Sequence, residues 1–400
     1  MRYALILLLL LLLSRNHQVD QEAPVVILVS IDGFRADYLN PNNAPNLHRL
    51  AEAGVHADYL ETVFPSNTFP SHYTIVTGLY PRNHGIVNNT MFDPTLERRF
   101  SLGNRDAVQD SVWWQGEPLW VTLQKQGRTS ATYMWPGSEA QIAGYRPTWW
   151  MEYDGVLPHE ARVDSVMSAL ARTPRPGLIT LYYSIVDSRG HRYGPDSPEV
   201  AEAVREVDYS IGTLVDRLQA AGLYDSVNMV VVGDHGMATT SSGRVENLAD
   251  YLDSPRDSVY IVTLGAAPML NLRKGQSAGG ILSALNRMEH VTWYEKGTLP
   301  DTLHYDVHLR IPDLVGVVDP GWLVRINHDP DPGNVGGAHG YVPAHPDMHT
   351  LFLARGPAFK EGYRAAAFSS VHIYELLCAV LQVTPAPNDG SLKIVRPLLR

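Results

Sequence analysis

Apolar residues in this chain gather in short unbroken runs that stop at polar turn residues, rather than alternating with polar ones. Pro24 to Ile31 is such a run and closes on Asp32-Gly33. A run without alternation is what a strand buried on both faces of a sheet requires. Leu178 to Ile185, ending near Asp187, and Val227 to Val232, ending at Gly233-Asp234-His235-Gly236, repeat the pattern. Helical periodicity separates the runs: Asn46 to Ala53 before Gly54, His159 to Ala171, and Pro198 to Ala221. Strands that alternate with helices predict crossover connections, hence an α/β fold with a mostly parallel sheet covered by helices on both faces. In such sheets ligands bind outside the carboxyl ends of the strands, where each of these runs leaves a carboxylate.

No Gly/Ser tract, proline run or repeat interrupts residues 22 to 400, so a single catalytic domain over 21–400 is expected, with a less regular elaboration from about 239 to 347. A composition with 44% hydrophobic residues allows a sizeable core. The start differs. Met1-Arg2-Tyr3 followed by the apolar stretch Ala4 to Leu13 has the form of a secretory signal and is too short for an ordinary membrane span. No Ala-x-Ala site follows, so residues 1–20 are read as a signal peptide or an uncleaved N-terminal anchor, and membrane contact is expected only in the second case. A periplasmic or secreted protein follows from either. Cys378 is the one cysteine, so export here involves no intrachain disulfide. A net charge of −10 argues against a partner that is a nucleic acid polymer, which leaves small anionic substrates. Oligomeric state has no signature.

Three carboxylates and three imidazoles stand out. Asp187 and His191 are spaced so that one helical turn or a compact loop aims both at one ion; Asp234-His235 lies in a turn whose flanking glycines, Gly233 and Gly236, allow a sharp bend; His339 has small neighbours on both sides; Asp32 ends the first strand. Two tetrahedral metals that each keep an open position need about three protein ligands apiece, the number present. Mixed nitrogen and oxygen donors suit zinc better than calcium or magnesium, and manganese and iron accept the same set. Two divalent ions against three Asp carry about +1, enough to attract a phosphoryl group to an acidic chain. Each residue alone has an ordinary explanation: a strand-end Asp is commonly a helix cap. The case rests on their coincidence at the ends of one sheet.

The segment Phe64 to Gly78 reads as a loop entering a helix near Thr68 to Pro70, which presents free amides and a positive dipole end to an anion. By itself Thr68 fits a helix cap. His72, one turn on, resembles a general base for it, but with metals present a coordinated hydroxyl needs none. His72, His84 and the remaining histidines are read as structural or surface groups.

Thr68-Phe69-Pro70-Ser71-His72-Tyr73, Thr77-Gly78-Leu79-Tyr80-Pro81, His84-Gly85-Ile86, Asn89-x-Met91-Phe92-Asp93, Trp135-Pro136-Gly137-Ser138, Asp187-x-x-x-His191-x-Tyr193-Gly194-Pro195, Gly233-Asp234-His235-Gly236-Met237 and His339-Gly340-Tyr341 occur in that order. Together they resemble the nucleotide pyrophosphatase/phosphodiesterases of the alkaline phosphatase superfamily, over roughly residues 25 to 345. The resemblance implies an alkaline-phosphatase-like three-layer sandwich. It implies one zinc on Asp187, His191 and His339 and another on Asp32, Asp234 and His235, with Thr68 coordinated as the attacking alkoxide. Asn89 would donate to a phosphate oxygen turned away from the metals, and Phe69 and Tyr153 would sandwich a nucleotide base. Thr68 would displace the leaving group in line, form a phospho-threonine, and release a nucleoside monophosphate on attack by metal-activated water.

Ser71 stands where many members have Asn, and Asn67 where many animal members have Lys; both flank the nucleophile and bear on specificity more than on activity. The Cys-rich and nuclease-like modules of animal members are missing from this sequence. A choline or lysophospholipid headgroup phosphodiesterase of the same superfamily is the main alternative, since the aromatic pair can also cage a quaternary ammonium. A phosphomonoesterase or sulfatase fits less well, because Thr68 is neither the serine of the first nor the modified residue of the second. A catalytically silent nucleotide-binding protein would have no use for Thr68.

Overall fold

The computed structural model describes residues 23–328 and 336–400. The signal or anchor expected over residues 1–20 lies outside them. Eight strands form the main sheet: β1 Val25–Ile31, β2 Val55–Ala57, β3 Ser130–Tyr133, β4 Trp149–Met151, β5 Leu178–Tyr183, β6 Val227–Val232, β7 Phe352–Arg355 and β8 Tyr363–Ala365. Their order across the sheet is β8-β2-β7-β6-β1-β5-β3-β4. All pairs are parallel except the two that β7 makes, with β6 and with β2.

The unbroken apolar runs have the cause inferred for them. Val25, Ile27, Val29 and Ile31 of β1 pack on one face against helices α1 (Pro45–Ala53), α3 (His159–Leu170) and α5 (Pro198–Ala220). Val26 and Leu28 pack on the other face among residues of α2 (Thr68–Thr77) and α6 (Ile373–Leu381). With both faces covered, alternation has nothing to report. The α/β, mostly parallel, three-layer expectation therefore holds.

One boundary differs. Strand β5 stops at Tyr183, and helix α4 (Ile185–Tyr193) begins where the run was expected to continue, so Asp187 sits in the first turn of a helix. The described residues of the segment 239–347 include regular structure. The segment contains a four-stranded antiparallel sheet, ordered Val259–Thr263, Met269–Leu272, Leu314–Val318, Val291–Glu295, with a core of its own that includes Leu270, Leu285 and Trp293. Strands of four or five residues between Gly- and Pro-bearing loops are too short to show a period.

A buried ion pair fastens this part to the main body. Arg310 Nε donates to Asp93 Oδ2 at 2.7 Å, and its other nitrogens donate to the carbonyls of Gly85, Val112 and Trp113.

Candidate metal centre and substrate cleft

The site lies at the carboxyl ends of three adjacent strands, β6, β1 and β5. Asp32 follows β1 directly. Its amide donates to Tyr183 O at 2.9 Å, and its carbonyl accepts from the Asp187 amide at 3.1 Å, which ties the ends of β1 and β5 together. Asp234 and His235 follow β6. Neither Gly233 nor Gly236 has a positive φ, and the chain bends at Asp234 between them. They serve close approach: a Cβ on Gly233 would lie 1.8 Å from Thr350 Oγ1, and one on Gly236 would lie 2.0 Å from the Asp347 carbonyl. His339 arrives from a distance in sequence. The strand Gly336–Ala338 pairs antiparallel with Ala238–Thr240, just after His235, and delivers it beside that residue.

The six residues form two triads, Asp187/His191/His339 and Asp32/Asp234/His235, each with its ligand atoms within 4.8 Å of one another. Each imidazole is oriented by a backbone carbonyl: Nδ1 of His191 donates to Gly337 O (2.9 Å), that of His339 to Ser66 O (2.8 Å), and that of His235 to Gly236 O (2.9 Å). A carbonyl only accepts, so Nδ1 carries the proton and Nε2 presents a lone pair to the site.

Acceptor then faces acceptor. His191 Nε2 lies 3.0 Å from His339 Nε2 and 3.3 Å from Asp187 Oδ1; His235 Nε2 lies 3.1 Å from Asp234 Oδ2 and 3.4 Å from Asp32 Oδ1. Asp32 Oδ1, Asp187 Oδ1 and Asp234 Oδ2 are buried without a hydrogen-bond partner among the described residues. Burial, and then mutual repulsion, raises all three carboxyls well above the usual carboxylate range. Burial lowers the imidazoles, His339 to about 3 and His235 well below the ordinary value. A buried set of converging lone pairs is stable with cations between them. The residues fit two ions.

Thr68 Oγ1 lies 3.4 Å from His235 Nε2, on the side of the Asp32 triad. Thr68 is the first residue of α2, and Asn67 occupies the cap position without a side-chain cap bond, so Thr68 is not the cap it could be taken for. His72 is fully buried. Its Nδ1 donates to the Thr68 carbonyl and its Nε2 meets Ser30 Oγ, both at 2.8 Å, so the ring contacts the backbone of Thr68 and not its hydroxyl. Asn89 Oδ1 accepts from the Phe69 amide at 2.8 Å. That fixes the side chain's orientation and turns its NH₂ away, for other partners.

A cleft of about 420 Å³ is lined by Asp32, Asp187, His191 and His339 of the triads, by Thr68 and Asn89, and by Phe69, Trp135 and Tyr153. Phe69 is half-buried against Phe100 and Trp114. Tyr153 is 45% exposed, which rules out an ordinary core role, and its amide donates to the buried Glu139 at 3.1 Å. Sequence reasoning missed Tyr182. This residue lines the cleft, and its hydroxyl donates to Asp32 Oδ2. The available signal was weak: a pair of tyrosines closing a buried strand whose other residues are aliphatic apart from Thr180.

Residues 26–342 match the family described as type I phosphodiesterase / nucleotide pyrophosphatase. The chain belongs to that family. It is 35% identical over 387 residues to human ectonucleotide pyrophosphatase/phosphodiesterase family member 5, covering 97% of this chain and 80% of that protein. It is 37% identical to rat family member 3 and 38% identical to a venom phosphodiesterase of Crotalus durissus collilineatus, in each case over 95% of this chain. The chain spans 44% and 47% of those two proteins, about half their length. The structure of murine ectonucleotide pyrophosphatase/phosphodiesterase 5, an inactive threonine-to-alanine variant in complex with AMP, superposes with a TM-score of 0.90 at 36% identity, covering 94% of this chain and all of that one. Among the described residues no helix is long and apolar enough to cross a membrane.

Proposed function

We propose that this protein hydrolyses phosphodiester or pyrophosphate bonds of nucleotides, releasing a nucleoside monophosphate, with Thr68 as nucleophile and two divalent ions, zinc by preference, on the two triads. One observation carries the reading: three bare, buried carboxylate oxygens and three imidazole lone pairs converge in two sets beside the Thr68 hydroxyl. The ions, when bound, supply Lewis-acid charge to the reacting phosphate and lower the pKa of the Thr68 hydroxyl.

Thr68 Oγ1 bonds to phosphorus as the opposite bond to the leaving group breaks, and its proton passes to solvent. A nucleotidyl-threonine results. Water then displaces Oγ1 at phosphorus, returns a proton to Thr68 and frees the monophosphate. Asn89 donates its NH₂ to a non-bridging phosphate oxygen, and the amino-terminal end of α2 adds its dipole. Phe69 and Tyr153 hold the base by stacking, which tolerates any base. The AMP bound to the murine relative, and the inactivity of its threonine-to-alanine form, support both assignments.

Residues 21–400 act as one catalytic domain in this reading, exported to the periplasm or medium, as the names of ectoenzyme and venom relatives support. The experiment is an assay of purified protein, its metal content measured, against nucleotide diesters, ATP, choline phosphodiesters and monoesters. Nucleotide diesters should lead; preference for choline esters or monoesters would overturn the substrate assignment.

A further inference from the structure

We infer that Tyr182 is a positioning residue for the Asp32 triad: its hydroxyl occupies one Asp32 oxygen so that the other alone faces the ion. The inference rests on the two-metal reading above. Asp234 shows the same arrangement. Its Oδ1 accepts the Gly33 amide at 3.1 Å, and its Oδ2 makes no hydrogen bond, with His72 Nδ1 3.4 Å away and committed to the Thr68 carbonyl. Asp32 Oδ2 accepts the Tyr182 hydroxyl, and its Oδ1 is bare. In both, a donor from the protein holds one oxygen, which sets the rotation of the carboxylate and makes it a one-oxygen ligand. For Asp234 that donor is backbone. For Asp32 it is a side chain, and a substitution removes it.

Tyr182 is itself held in place. It lies opposite Ser30 in the register of β5 on β1, two residues before Asp32 on the neighbouring strand. Its ring meets His72 edge-on at 5.2 Å and Tyr153 at 5.9 Å. A buried tyrosine needs some partner for its hydroxyl. Here that partner is a ligand carboxylate at the floor of the cleft, so the hydroxyl acts on the ion's surroundings as well as on its own burial.

Outer partners of this kind typically change metal affinity tenfold to a hundredfold. The test is a competition titration of Zn²⁺ into chelator-stripped full-length protein, against a chromophoric chelator. Wild type should bind in two steps, and Asp32→Asn identifies the step that belongs to the Asp32 triad. Tyr182→Phe keeps the ring contacts and should weaken that step about ten- to a hundredfold while leaving the other unchanged. Added to Asp32→Asn, it should cause no further loss. Tyr182→His should show the same confinement to one step, and it serves if the phenylalanine variant does not fold. Weakening of both steps equally, or of neither, in whichever variant folds would overturn the inference. Wild type taking up fewer than two ions would instead overturn the two-metal reading.

Discussion

The rings of His235 and His339 lie stacked, their centroids 3.6 Å apart and 14° from parallel. One belongs to each triad, so the triads share a wall, and the two ions proposed for them would be neighbours. The acceptors of both sets repel until cations enter, and metal binding is therefore also folding energy. Stoichiometric metal analysis should find two ions per chain. Chelation should lower the melting temperature and abolish turnover, and zinc at a hundredfold excess over Kd should return about 2.7 kcal/mol per site. One ion or none, with full activity in chelator, contradicts this.

Acid should destabilise the fold through histidines outside the triads. Burial, then His308, lowers His84 to about 3, and its Nδ1 accepts the Ile86 amide at 3.1 Å, so it is folded in as the neutral form. An unfolded histidine takes up a proton near 6.5. Below that pH the unfolded chain binds the proton and the native one does not, so stability is complete above about 6.5 and falls continuously towards 3, by up to about 1.4 kcal/mol per pH unit. Thermal melts from pH 7 to 4 should show this slope, and His84→Gln should flatten it. Parallel slopes in the two proteins would remove His84 as a cause.

Tyr153→Ala should raise KM for nucleotide diesters and leave hydrolysis of a simple nitrophenyl diester nearly unchanged, because in the proposed function this exposed ring in the cleft holds the base and not the metals. Stacking is worth about 1–3 kcal/mol per base, or roughly a five- to hundredfold rise in KM. Equal loss on both substrates would mean that Tyr153 supports the fold or the metal ligands.

Arg310→Met should cost about 3–5 kcal/mol, since it leaves buried Asp93 Oδ2 and three carbonyls without their donor, while Asp93 Oδ1 keeps the Thr95 and Leu96 amides. Denaturant unfolding measures it. A cost below about 1 kcal/mol would show that the two parts hold together without the pair.

The legible parts of this protein were those where local chemistry and fold coincide. β1, β5 and β6 were readable because burial on both faces demands unbroken apolar runs, and Asp32 and Asp234 because they lie at the ends of those runs. Asp187 and His191 were readable as a pair for one helical turn, although the helix begins earlier than the run suggested. His339 was not legible by position. Only the pairing of Ala338 with Ala238 brings it to His235, and it entered through its small neighbours and the family resemblance. Tyr182 was hidden for the reason that made its strand visible: in a run apolar on both faces, nothing marks which side chain points to the site.

The most direct test of the account is the turnover of a nucleotide diester by Thr68→Ala, measured beside wild type and Thr68→Ser at equal metal content. In the proposed mechanism the side chain's hydroxyl alone is chemically required. The alanine variant should therefore lose about 5 kcal/mol or more of transition-state stabilisation, several orders of magnitude in kcat/KM, while the serine variant keeps part of the rate. A near-normal rate in the alanine variant would place the nucleophile elsewhere and contradict the reading of the site.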